Sequence, residues 1–268
     1  MLCIICIKKA ADVSKIKKFC WQKLQKQTSD PEHISTKGVI TMAASKYTAN
    51  MFDAEELAAL REKFNYVDTD IKGRHRLFMD NAGGSLRLKA AEDEFKRVSE
   101  MPDASEHSNE LALELLALED KARIDIKSVI FGAKTGVIYP SYTASQIMMD
   151  VARIFADHAK GTNYVTTVLE HPSSFDAMTY NASKHGCELR VAQANPATGG
   201  VDAEAVLDLI DENTAVLSCM AASNISGYIY DLKTICKKAR EKNPDIFIIC
   251  DAVQHCASDT AFARARFA

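Results

Sequence analysis

Polar side chains that could do chemistry follow several apolar stretches in the second half of the chain. The stretches "NYVTTVLE", "TAVLSCMAAS" and "IFIIC" run directly into His171, Asn224 and Asp251, and Gln254 follows shortly afterwards. A carboxylate at the end of a buried strand is costly unless it is paired or hydrogen-bonded. We therefore expect Asp251 to meet an arginine, the N–H groups of a helix or a cationic ligand.

A further polar group, Ser141, Tyr142 and Thr143, stands where the helical pattern "ASQIMMDVARIFADHA" begins. The free N–H groups and the dipole of a helix N-terminus favour a phosphate, but plain capping by Ser or Thr explains the same residues. His171 fits a general base, a ring-stacking group or an ordinary loop histidine. Asn224 lies in "SNISG", which also fits a plain turn.

Strand patterns alternate with helical patterns from residue 127 onward. Strands are predicted at "SVIFG", "NYVTTVLE", "CELRVAQA", "TAVLSCMA" and "DIFIICD", with a helical pattern between each strand and the next. This alternation is typical of βαβ crossovers, and strands so uniformly apolar are buried on both faces. We predict an α/β fold, a mostly parallel sheet with helices on both faces. Ligands of such sheets bind at the carboxyl ends of the strands, where all the polar groups above would lie.

The first half of the chain has a different pattern. "MFDAEELAALREKF" predicts a helix capped by Asp53 and Glu56. "RLFMDNAGGS" predicts a short strand that runs into a small-residue turn, and the residues up to 122 look mostly helical. We divide the chain into a poorly ordered leader at 1–45, a helical segment with an initial strand at 46–125, and a partial large domain at 126–268.

Composition excludes some classes of function. A net charge of −3 gives no support for nucleic-acid binding, and no apolar run approaches the roughly 20 residues of a membrane helix. The eight cysteines do not form a disulfide framework, which favours a reducing compartment. We expect a cytoplasmic protein, with a mitochondrial location as the alternative. A Walker loop and a G-x-G-x-x-G motif are both missing, and no metal site is predicted.

Five short motifs resemble those of the class V aminotransferases, the pyridoxal-phosphate (PLP) family that includes the cysteine desulfurases. "FMDNAGG" resembles D-N-A-A-T, "PSYTAS" the phosphate-binding G-A-T-E-A loop, "LEHPSS" E-H-H-S-N, "SNISG" the N-x-x-G turn and "CDAVQ" D-x-A-Q. They occur in the family's order over roughly residues 76–255. The resemblance implies a PLP-dependent transferase fold of the aspartate aminotransferase type, here a large domain incomplete at the C-terminus.

The resemblance also implies a role for each residue. Asp251 would pair with the protonated pyridine nitrogen of PLP and so keep the ring an electron sink. His171 would stack on the ring, and Asn224 and Gln254 would hydrogen-bond near its phenolic oxygen.

The remaining implied roles concern the phosphate and the substrate. Ser141, Tyr142 and Thr143 would hold the phosphate, although "PSYTAS" lacks the family's first glycine. Asn81 and Ala82 would line the side of an amino-acid substrate. Members of the family are usually homodimers.

The sequence departs from the family after Asp251. The family's Schiff-base lysine follows this aspartate, but the last lysine here is Lys242, so no catalytic residue is assigned. The small C-terminal domain is also not recognisable. We expect a truncated or mis-spliced gene product or a degraded copy, which as written is not a competent catalyst.

Three hypotheses remain open from the sequence. The chain is a fragment of a PLP-dependent enzyme of the cysteine desulfurase type, which acts on an amino acid. Alternatively, it is a non-catalytic binding or scaffold protein that keeps the fold. The third hypothesis, an unrelated doubly wound nucleotide-binding protein, is disfavoured because no glycine-rich phosphate loop is present.

Overall fold

The computed structural model describes residues 52–104 and 108–258, together with the backbone of Ile4–Ile5. Apart from this dipeptide, the leader predicted at 1–45 lies outside the described residues. The chain divides into two compact units, one up to Asp103 and the other from Ala104 onward with the first residues of the chain. No helix in the described part is both long and apolar enough to cross a membrane.

The unit that ends at Asp103 contains two described helices, α1 (Ala54–Glu62) and α2 (Lys89–Ser99). The predicted cap of α1 is confirmed. Asp53 Oδ1 accepts a hydrogen bond from the Glu56 N–H at 2.8 Å, and Glu56 Oε2 accepts one from the Asp53 N–H at 3.0 Å. This reciprocal capping box satisfies two N–H groups at a helix start.

The strand predicted in "RLFMDNAGGS" does not form. Residues 76–80 have no regular structure, and Leu77 and Met79 are 79% and 85% exposed. Arg76 donates one backbone hydrogen bond, to the Asp68 carbonyl at 2.9 Å, but within the described residues no ladder of such bonds continues along 77–80. The predicted turn does form, since the Gly83 N–H donates to the Asp80 carbonyl at 3.2 Å.

The other unit is built on a five-stranded sheet with the order β1-β5-β4-β2-β3. The strands are β1 (Ile4–Ile5), β2 (Asn163–Thr167), β3 (Glu188–Ala192), β4 (Thr214–Met220) and β5 (Phe247–Asp251). β2 to β5 pair in parallel, and β1 pairs antiparallel with β5 at one edge. The predicted mostly parallel sheet is therefore confirmed.

Six α-helices of this unit are described. They are α3 (Glu110–Asp125), α4 (Ala144–His158), α5 (Pro172–His185), α6 (Ala203–Leu207), α7 (Leu232–Lys242) and α8 (Val253–Ser258).

The strand predicted at "SVIFG" is wrong. α3 continues directly into a π-helical turn at Ile126–Ile130, which is closed by a hydrogen bond from the Phe131 N–H to the Ile126 carbonyl at 3.3 Å. No glycine or proline interrupts the chain between Glu110 and Phe131, so nothing ends the helix before Gly132. A short apolar run cannot by itself distinguish a strand from a helix.

Each face of the sheet has its own core. Val165, Leu217 and Ile248 belong to a buried cluster that includes residues of α6 and α7. Their chain neighbours Tyr164, Val216 and Ile249 belong to a second cluster that includes residues of α4 and α5. Successive strand residues point to opposite faces, so helices cover both sides, as predicted.

Deletion of side-chain volume inside one of these cores should destabilise the fold. Leu217 is completely buried on β4, so Leu217→Ala is expected to lower the free energy of unfolding by about 2–5 kcal/mol. Leu113→Ala is the matched control, since Leu113 is 54% exposed on α3 and its truncation should cost no more than about 0.5 kcal/mol. Urea unfolding followed by circular dichroism measures both values, and equal losses would contradict the assigned core.

Candidate functional site

A cavity opens at the carboxyl edge of the sheet. Its empty volume is about 410 Å³ when the part open to solvent is included. The residues that line it come from the first turns of three helices and from the ends of strands: Ala144, Ser145, His171, Ser173, Met220, Ala222, Asn224, Asp251, Val253 and Gln254. The predicted site residues His171, Asn224, Asp251 and Gln254 therefore share one cavity.

Asp251 is the last residue of β5 and is only 7% exposed. Its Oδ1 accepts a hydrogen bond from the Val253 N–H at 3.0 Å. Among the described residues, no arginine or lysine forms an ion pair with this carboxylate. Burial raises the pKa of Asp251, although the Val253 N–H and the nearby His171 oppose the shift. The sequence predicted an arginine, helix N–H groups or a cationic ligand as the partner of Asp251. The structure supplies one helix N–H, and the carboxylate borders a cavity that could hold a cationic ligand.

His171 caps α5 and is held in place by its neighbour Ser173. Its Nδ1 accepts a hydrogen bond from the Ser173 N–H at 3.2 Å and lies 2.7 Å from the Ser173 hydroxyl oxygen. Because a backbone N–H can only donate, this contact makes Nδ1 an acceptor and leaves the ring proton on Nε2. Sequence reasoning gave Ser173 no role, although a serine two residues after a capping histidine was visible in "HPSS".

The turn after β4 presents Asn224 to the cavity. The Ser223 hydroxyl oxygen accepts hydrogen bonds from the N–H groups of Ile225 and Ser226, both at 3.2 Å. Gly227 closes the turn with a φ of 71°, a conformation that favours glycine. The motif "SNISG" is thus a local turn whose asparagine faces the cavity.

The predicted phosphate-binding residues are not among those that line the cavity. The Thr143 hydroxyl accepts a hydrogen bond from the Gln146 N–H at 3.1 Å and so caps α4, while Tyr142 is 95% exposed. Neither these two side chains nor Ser141 lines the cavity, which is bordered instead by Ala144 and Ser145. The N–H groups of this first turn have no acceptor within the helix. The sequence analysis gave Ser145 no role. The residue that caps the helix and the residues that line the cavity are close neighbours in sequence, and no local pattern distinguishes them.

Asn81 and Ala82, the predicted substrate-side residues, belong to the other compact unit. They form an exposed turn directly after Asp80. Their role stays a prediction.

Comparison with known proteins identifies the family. The sequence pattern of the family described as "Aminotransferase class-V" matches residues 77–261. A probable cysteine desulfurase from Streptomyces coelicolor is 27% identical over 194 residues, which cover 68% of this chain and 46% of that protein. The chain spans about half the length of the curated relatives it matches.

Two solved structures show the same fold. The apo structure of a cysteine desulfurase from Thermococcus onnurineus has a TM-score of 0.61 at 20% identity and covers 75% of this chain and 48% of its own. A C-DES mutant with glycine covalently linked to its PLP cofactor has a TM-score of 0.55 at 13% identity and covers 74% and 50%. The predicted fold class is confirmed, and the family match extends over well more than half of the sequence. The chain belongs to the class V aminotransferase family.

Proposed function

We propose that this chain binds pyridoxal 5'-phosphate in the cavity at the carboxyl edge of the sheet. The observation that carries the proposal is the Asp251 carboxylate, which is buried, faces the cavity and has no cationic side chain paired with it in the described residues. A buried carboxylate of this kind favours a cationic partner. A protonated ring nitrogen would provide one.

The other cavity residues fit the same ligand. His171 stands at the cavity wall with its ring orientation held by Ser173, as a group that stacks on an aromatic ring requires. Asn224 and Gln254 supply amide groups that can hydrogen-bond to a phenolic oxygen. When bound, PLP supplies an electron sink for reactions of amino acids.

The start of α4 is the proposed phosphate site. Thr143 caps this helix of 15 residues, and Ala144 and Ser145 of its first turn line the cavity. Helix N-termini bind phosphates through their free N–H groups and the helix dipole. Ser141 and Tyr142 precede this turn and stay candidates for outer contacts.

We infer an amino-acid substrate and a reaction of the cysteine desulfurase type, because the relatives are named cysteine desulfurases. We also infer a homodimer from the family resemblance. The lysine that would bond covalently to the cofactor does not occur after Asp251 in these 268 residues. As it stands, the chain is expected to hold PLP without a covalent bond. The alternative function, a non-catalytic binding or scaffold protein that retains the fold, stays a proposal.

Replacement of Asp251 should change PLP binding and the stability of the ligand-free chain in opposite directions. Asp251→Asn removes the proposed partner of the ring nitrogen and should weaken PLP binding at least about 30-fold in equilibrium dialysis at pH 7. Without ligand, the same variant should be more stable than the wild type. The raised pKa means that the carboxyl contributes stability at low pH and loses it as the pH rises, so the gain from Asn should grow with pH.

Asp176→Asn is the matched control, because Asp176 is exposed on α5. It should change neither PLP binding nor the stability of the ligand-free chain at pH 7. Equal PLP affinity of the wild type and Asp251→Asn would sink the proposed role of this carboxylate.

The type of cofactor attachment distinguishes an active fragment from a binding protein. The wild type and Asp251→Asn are incubated with PLP and reduced with borohydride. Mass spectrometry should then find every lysine labelled to the same extent in the two proteins. Addition of L-cysteine should release no sulfide above a protein-free PLP control, since the covalent step has no lysine to perform it. Sulfide release that depends on Asp251 would instead favour catalysis by this chain.

A further inference from the structure

Glu170 directly precedes the cavity residue His171 in the chain and is only 6% exposed. Its Oε1 accepts hydrogen bonds from the Thr167 hydroxyl and from the Met220 N–H, both at 2.9 Å. Thr167 is the last residue of β2 and Met220 is the last residue of β4. One carboxyl group therefore joins the carboxyl ends of two neighbouring strands.

The second oxygen of Glu170 contacts a pair of buried serines. Oε2 lies 3.3 Å from the Ser174 hydroxyl oxygen, which in turn lies 2.9 Å from the Ser218 hydroxyl oxygen. In the ionised form the Ser174 hydroxyl donates to Oε2. In the protonated form Oε2 donates to Ser174, whose own hydroxyl can then donate to Ser218. The same contacts therefore satisfy the carboxyl group with or without a charge.

The surroundings of Glu170 favour its protonated form. The titratable groups near it are Asp251 from β5, Cys219 from β4 and Tyr230 from the segment after β4, and His171 is its neighbour in the chain. No lysine or arginine within the described ranges pairs with it. Burial, and then the negative charge of Asp251, raise the pKa of Glu170 to about 8, although its hydrogen bonds oppose the shift.

We propose that Glu170 is a positioning residue whose carboxyl group, bound to Thr167 and Met220, holds His171 at the cavity wall. His171 directly follows Glu170 in the chain, and Met220 stands in register with Asp251 on the neighbouring strand. The hydrogen bond from Met220 to Glu170 thus ties the segment that carries the histidine to the strand pair that carries the aspartate. Only the consequence for PLP rests on the proposed function.

The first test follows the protonation directly in the ligand-free chain. With ¹³C-labelled glutamate, the wild type should show one carboxyl carbon that titrates near pH 8, and Glu170→Gln should lack it. Glu212→Gln, which removes an exposed carboxyl before β4, should keep it. If every glutamate carboxyl of the wild type titrates below about pH 6, a range typical of unperturbed side chains, the neutral form is overturned.

The second test asks whether the proton matters for His171. Ionisation of Glu170 reverses its hydrogen bond with Ser174 and places a negative charge on the residue next to His171, so the ring C–H resonances of His171 should shift near pH 8 in the wild type. Glu170→Gln mimics the neutral acid and should abolish this shift. If the shift persists in Glu170→Gln, Glu170 does not position the histidine.

A third measurement links the residue to the cofactor. Glu170→Gln should bind PLP within about threefold of the wild type, whereas Glu170→Ala should bind at least about tenfold more weakly, a difference of about 1.4 kcal/mol. Wild-type affinity in a natively folded Glu170→Ala would overturn the positioning role toward PLP. If the wild type itself does not bind PLP, the proposed function fails, and the two ligand-free measurements still decide the role of Glu170.

Discussion

The parallel pairing of β4 with β5 is the constraint on which the site depends. The two strands stay in register to their last residues, so that Met220 stands beside Asp251. The Ala221 N–H then donates to the Asp251 carbonyl at 2.7 Å, which extends the pairing past the end of β4. The carboxylate is thereby held at the rim of the sheet, buried and facing the cavity, with little freedom to turn toward solvent.

At the opposite edge of the same sheet, the carboxylate of Asp211 has a structural role. Asp211 precedes β4 and lies 2.7 Å from the Arg190 guanidinium and 3.0 Å from the Asn163 amide. These partners hold the pKa of Asp211 well below its usual range, in contrast to the raised pKa of Asp251. One edge therefore pairs its carboxylate with an arginine, whereas at the other edge Asp251 accepts the Val253 N–H and has no lysine or arginine paired with it among the described residues.

Two buried acids at one rim carry a cost for the ligand-free chain. Asp251 and Glu170 both have a raised pKa, and the charge of Asp251 contributes to the shift of Glu170. Two like charges in so buried a place disfavour each other. A proton on Glu170 relieves this repulsion, and a cation at Asp251 would relieve it further. A lower stability of the ligand-free chain at this position is consistent with a binding site, since functional sites often depart from the most stable arrangement.

Local structure was largely predictable where neighbours in sequence decide it. The capping box of Asp53 and Glu56 forms because both partners lie within one helical turn. The strand predicted at "SVIFG" was wrong because a short apolar run does not determine its own structure, which depends on the segments around it. The π-helical turn at Ile126–Ile130 follows from the uninterrupted helix before it, not from its own composition.

The amino-acid sequence by itself determined the class of fold and the order of its motifs, because the alternation of apolar strands with helices and the turn residues act locally. Only the tertiary structure decided that His171, Asn224, Asp251 and Gln254 share a cavity, and that Ser145 rather than Tyr142 borders it. It also decided that Glu170 is buried between two strand ends. These relations depend on strand order and register, which join residues distant in sequence through hydrogen bonds that no local pattern encodes.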